Sequence, residues 1–176
     1  MYIWVGCKLP ESFAQEIRGR CLELNRAIGL DLVAFSLPQH VSLKISFQSE
    51  RYDEIVAYLS GFLSVQKPFS LRIQQAAQAG NILWMPVSDN EELRQLHARL
   101  DALLERHFGI EQHEFDTCFL FHSTLFMDPD TGKIAKMREA LLPCPIDREL
   151  TVDTFLLGLS ETGKAGSYHV VRQIQV

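Results

Sequence analysis

The sequence predicts a mixed fold of strands and helices: two βαβαβ-like halves, an extra C-terminal strand, and a cleft between the halves. Three observations lead there. Apolar stretches with strand-like alternation take turns with amphipathic, helix-like stretches along all 176 residues. Tyr2-Ile3-Trp4-Val5 is echoed by Ile82-Leu83-Trp84-Met85, offset by 80 residues. His40-Val41-Ser42-Leu43 is echoed by His122-Ser123-Thr124-Leu125, offset by 82 residues. Each first member is followed by the same order of elements, so the repeats span approximately residues 1–79 and 80–160, with a last strand at 167–176. Two like halves packed face to face leave a cleft, a usual place for a small ligand.

The elements follow in order. Residues 2–9 read as an apolar strand. A helix opens at Pro10 and Ser12, carries Phe13, Ile17, Cys21 and Leu24 on one stripe, and ends near Gly29. Residues 40–47 read as a strand and 51–65 as a helix with Ile55, Tyr58, Leu59 and Phe62 on one face. Residues 69–77 and 82–87 read as strands around a Gly80-Asn81 turn. Ser88, Asp89 or Asn90 can cap the next helix, whose Leu93, Leu96, Leu100 and Leu104 form a stripe that Gly109 stops. Residues 117–127 read as the second histidine strand, followed by a turn at Asp128-Pro129-Asp130-Thr131-Gly132. A short helix at 134–142 and strands at 150–159 and 168–176 complete the chain.

Composition narrows the function. Hydrophobic residues make up 47% and charged residues 22%, which excludes a disordered chain. No apolar run has the length of a membrane span, and the N-terminus reads as a strand rather than a signal peptide. The net charge of −5 argues against a coat for long nucleic acid, so any nucleic acid partner is expected to be small. Cys7, Cys21, Cys118 and Cys144 show neither CxxC nor zinc spacing and are read as reduced thiols of a cytoplasmic protein. No Walker A loop, GxGxxG fingerprint or GxSxG elbow is present. His113, Glu114, Asp116 and His122 match no metal spacing, so neither a metal nor a cofactor is expected.

The two histidine strands carry the chemistry. Alternation puts Val41, Leu43, Ile45 and Phe47 on one face, and His40, Ser42 and Lys44 on the other. In the second strand His122 and Thr124 share a face with Leu120 and Phe126. Each half thus offers an imidazole and a hydroxyl two residues apart. Displacement at a phosphodiester needs a base for the attacking oxygen and an acid for the departing one, and histidine suits both near neutral pH. The two oxygens lie on opposite sides of phosphorus, so acid and base are expected from opposite walls. Ser42 and Thr124 are placed to bind the non-bridging oxygens. Lys44 is either a further phosphate ligand or an ordinary exposed strand lysine. Phe126 either stacks on a nucleobase or walls the site, and Tyr168 either lies in the core or stacks on a base or ribose. Trp4 and Trp84 are read as core.

The duplicated motif, with its strand and helix order, resembles the 2H phosphoesterase superfamily, which includes 2′-5′ RNA ligase-like proteins and cyclic phosphodiesterases. The resemblance covers nearly the whole chain. It implies a bilobal α+β fold with a pseudo-twofold axis and a metal-independent site between the lobes. It also implies that His40 and His122 are the acid/base pair and that Ser42 and Thr124 bind phosphate. Ser123 stands where many members have an apolar residue, and Phe126-Met127-Asp128 stands where several have an arginine. The expected activity is opening of a 2′,3′-cyclic phosphate on a nucleotide or RNA end. The alternatives are 2′-5′ ligation of RNA ends and a non-catalytic nucleotide- or RNA-binding module.

Overall fold

A computed structural model describes residues 1–176. The first strand, β1 (Tyr2–Lys8), is central to the first sheet and almost wholly buried. Helix α1 (Glu11–Ile28) buries Phe13, Ile17 and Cys21 and stops at Gly29, whose φ of 73° is the left-handed conformation that glycine adopts freely. Strands β2 (His40–Ser42) and β3 (Phe47–Gln48) both pair antiparallel with β1. Helix α2 (Tyr52–Ser64) buries Ile55, Val56, Leu59 and Leu63. Strands β4 (Phe69–Ile73) and β5 (Ala77–Ala79) precede β6 (Ile82–Pro86). Helix α3 (Glu91–Phe108) is capped by Asn90, whose side chain accepts from the Leu93 backbone N–H. Strand β7 (His122–Met127) leads to helix α4 (Thr131–Leu141), and β8 (Arg148–Val152), β9 (Thr154–Ser160) and β10 (His169–Gln175) close the chain.

The fold is the expected α+β arrangement, built on antiparallel sheets. One sheet runs β10-β9-β1-β2, with β3 also on β1. The other strands form the β4-β8 pair and the β5-β6-β7 sheet, linked by a bridge between Ile73 and Val87. Strands β4 and β5 are thus a single strand interrupted at residues 74–76, both parts running beside the β6 segment. Sequence halves and sheets do not coincide. The end of the first half, β4 and β5, joins the second half's strands, while β9 from the second half pairs with β1 along six positions. The exchange ties both sheets into one core of 35 buried residues.

Four expectations are corrected. The strand expected over residues 40–47 bends at Leu43-Lys44, because the Lys44 side chain turns into the interior. That over 117–127 starts only at His122; a 3₁₀ turn at Glu114–Asp116 and an irregular segment precede it. The single strand expected over 150–159 is two, β8 and β9, in different sheets on either side of Asp153. Phe126 is fully buried and meets Phe35 edge-on at 5.3 Å, so it stacks on no ligand. The reason is a β-bulge: Trp84 opposes Thr124 but Leu83 opposes Phe126, leaving Leu125 as the extra residue that flips the alternation.

Candidate active site

The two histidine motifs meet where the sheets adjoin, on the neighbouring strands β2 and β7. Gln39, buried and one residue before His40, bridges them. Its Nε2 donates to Ser123 Oγ and to the Thr124 carbonyl, each at 2.7 Å. Ser123, the residue expected to depart from an apolar pattern, is therefore the buried acceptor of this cross-link.

Both imidazoles are held in the same way. His40 Nδ1 lies 2.7 Å from the Pro38 carbonyl, and His122 Nδ1 lies 2.7 Å from the Leu120 carbonyl. A neutral ring donating Nδ1–H to a carbonyl keeps its proton-accepting lone pair on Nε2. Neither Nε2 has a protein hydrogen-bond partner. Each ring also rests on a tryptophan, His40 on Trp4 and His122 on Trp84, with centroids 4.3 Å apart in both cases. Burial pushes the His40 pKa down to about 4, against the Pro38 carbonyl, and the charge of His122 lowers it further. Burial also lowers His122, against the Leu120 carbonyl.

The tryptophans reach their histidines from different rungs. His40 opposes Lys8 and Ser42 opposes Gly6, whereas His122 opposes Pro86 and Thr124 opposes Trp84. By register Trp84 matches Gly6, not Trp4. The Trp4 indole crosses the bare backbone of Gly6 and Gly158, where a Cβ would come within 2.6 and 2.8 Å of the ring. There its Nε1 donates to Ser42 Oγ at 3.1 Å. The tryptophans read from sequence as core are therefore walls of the site; only the glycines flanking Trp4 across the sheet could have signalled it.

A cleft of about 580 Å³ opens beside these groups, walled by both tryptophans, Ser42, His122 and Tyr168. His40 and Thr124 are half-buried and lie behind this wall, His40 against Trp4 and Thr124 opposite Trp84. Tyr168 is half-buried with its hydroxyl toward the Gly163 carbonyl, so of its two readings the structure favours the cleft. Lys44 is neither exposed nor free for phosphate. Its ammonium lies 2.7 Å from Asp101 and 2.6 Å from Asp116, with 2% exposure. Burial raises the Asp116 pKa, but bonds from Lys44 and from the Ile45 and His113 backbone outweigh it and hold the carboxyl below its ordinary value. His97 of α3 is buried here, and its ring nitrogens meet the Leu43 and Asp116 carbonyls. His97, Asp101 and Asp116 could converge on a cation, and the Lys44 ammonium supplies that positive charge.

Known proteins share this architecture. The model of a family described as the 2′-5′ RNA ligase superfamily matches residues 9–163. The fold matches TT0787 of Thermus thermophilus with a TM-score of 0.61 at 18% identity, over 99% of this chain and 97% of that one. It matches Escherichia coli LigT, solved with 3′-AMP, with a TM-score of 0.61 at 19% identity, over 99% and 96% of the two chains. A crystal structure described as a phosphoesterase gives a TM-score of 0.61 at 19% identity, over 99% and 98%. No curated protein sequence matches. No helix is long and apolar enough to cross a membrane.

Proposed function

The chain belongs to the 2′-5′ RNA ligase superfamily, the 2H phosphoesterases, and from that premise we propose that it opens a 2′,3′-cyclic phosphate on a nucleotide or RNA end by two-histidine acid/base catalysis. One observation carries the proposal: two imidazoles on adjoining strands, each fixed through Nδ1 and each with a free Nε2. A binding module needs hydrogen bonds to phosphate, not two proton carriers with identical second contacts. LigT, solved with 3′-AMP, ATP and NADP+, lends support for a nucleotide-sized ligand.

In this mechanism His40 is the base, because the more strongly depressed pKa keeps it neutral. Its Nε2 takes a proton from water as the new O–P bond forms. His122, protonated on Nε2, gives that proton to the ribose oxygen as the ring O–P bond breaks. The product is a ribose monophosphate, and the histidines return to their starting states by proton exchange with solvent. Ser42 and Thr124 donate hydroxyl hydrogens to the non-bridging oxygens. Trp4 donates to a lone pair of Ser42 Oγ, which leaves the Ser42 hydroxyl hydrogen for phosphate. Lys44 takes no part, so these hydroxyls, with protonated His122, carry the developing negative charge. Imidazoles carry both proton transfers, His40 accepting and His122 donating, and no metal is called for. Formation of a 2′-5′ linkage would use the same transfers with a 5′-hydroxyl in place of water: His40 takes the hydroxyl proton and His122 protonates the departing 3′ oxygen.

The test is turnover of adenosine 2′,3′-cyclic phosphate with a chelator present. The expected result is steady conversion to a single monophosphate isomer at a rate the chelator does not change. Binding of the nucleotide without turnover would favour a non-catalytic module.

A further inference from the structure

We propose that Phe115, Phe119 and Leu120 form a subsite for the flat, uncharged part of a substrate with a single phosphate, and that the cleft disfavours substrates with further phosphates. This rests on the phosphoester reading above and adds the substrate's chemical class.

The segment is exposed yet pinned. Phe115 is 63% and Leu120 68% exposed, both on the cleft wall. Between them Asp116 is buried and accepts from Lys44 Nζ at 2.6 Å, Ile45 N at 3.2 Å and His113 N at 3.0 Å. Phe119 stacks on the His97 ring at 4.9 Å and 27°. A segment anchored at its middle cannot turn these side chains inward, and exposed apolar surface is unfavourable in water. Covering it with the apolar face of a ligand removes that cost, and little ordering entropy is lost because the wall is preformed. The wall is continuous with the histidine site through Leu120, whose carbonyl orients His122. The occupant is therefore a group bonded close to the reacting phosphate.

Charge sets the second half of the proposal. Lys44 is the only Lys or Arg on the cleft wall, and two aspartates neutralise it. The adjoining hollow past His122, about 300 Å³, has Arg94 as its one cation, and Arg94 pairs with Asp89 and Glu91. A second phosphate would lose hydration and meet no unpaired positive charge.

The test compares adenosine 2′,3′-cyclic phosphate bearing a 5′-hydroxyl with the same compound bearing a 5′-triphosphate, by kcat/KM. Alongside it, 3′-AMP and ATP are compared by equilibrium binding, which needs no turnover. The 5′-hydroxyl substrate and 3′-AMP are expected to be favoured roughly tenfold or more. Phe115→Ala with Leu120→Ala is expected to raise KM by roughly 5- to 100-fold, the scale of one lost stacking contact, with little change in kcat. Equal or tighter binding of the triphosphates, or an unchanged KM in the variant, would overturn the proposal. Binding in the expected order with no turnover of either cyclic phosphate would support the subsite and count against the histidine chemistry alone.

Discussion

At the scale of single residues, Lys44 separates pattern from environment. Alternation places it beside His40 and Ser42, and it does border the cleft, but its ammonium is committed to Asp101 and Asp116. Nothing in the sequence announces the pairing, since its partners lie 57 and 72 residues away. Lys44→Met leaves two buried carboxylates without their cation, and breaking such a pair costs about 3–5 kcal/mol. The expected outcome is a large loss of stability in urea unfolding, with the folded fraction still active. Unchanged stability with a collapsed rate would instead make Lys44 a phosphate ligand. The two histidine motifs stand out in the sequence because they recur: one H-x-[ST] is common, two at equivalent points are not. Phe126 was misplaced because one bulged residue, Leu125, is invisible to a period-two pattern.

At the scale of elements, β1 does more than fill the core. Its Gly6, and Gly158 of β9 opposite Trp4, make the bare surface on which the Trp4 indole lies while holding His40 and Ser42. Gly6→Ala places a methyl within 2.6 Å of that ring, so the indole must move. Overpacking of this kind costs about 1–3 kcal/mol. The expected result is a modest drop in stability and a larger drop in kcat, with a changed tryptophan fluorescence. A rate equal to wild type would mean that Trp4 does not position the site. Helix boundaries were readable because their stops are local: Gly29 and Gly109 take left-handed conformations, and Asn90 caps α3. The split of residues 150–159 into β8 and β9 was not. Leu150 and Val152 of β8 run on into the apolar residues of β9, and only the partner strands show that the chain changes sheets at Asp153.

At the scale of the molecule, the two histidine strands meet at the junction of the sheets, where Gln39 clamps β2 to β7. The matching motifs at His40 and His122 can be read in the sequence, but the exchange of strands between the sheets cannot, because pairing partners are set by packing rather than by order. The central claim is that these two strands present a base and an acid to one phosphate. The most direct measurement is the pH dependence of kcat/KM for adenosine 2′,3′-cyclic phosphate in wild type, His40→Ala and His122→Ala. Activity rises as the base loses its proton near pH 4 and falls as the acid loses its proton below the ordinary histidine value of 6.5. The wild-type profile is therefore predicted to be a bell on the acid side of neutrality, its apparent pKa values belonging to the pair. Each folded variant should be slower by about 10²–10⁴-fold, with the acidic limb lost in His40→Ala and the basic limb lost in His122→Ala. A folded single variant with the wild-type rate and both limbs intact would contradict the two-histidine account.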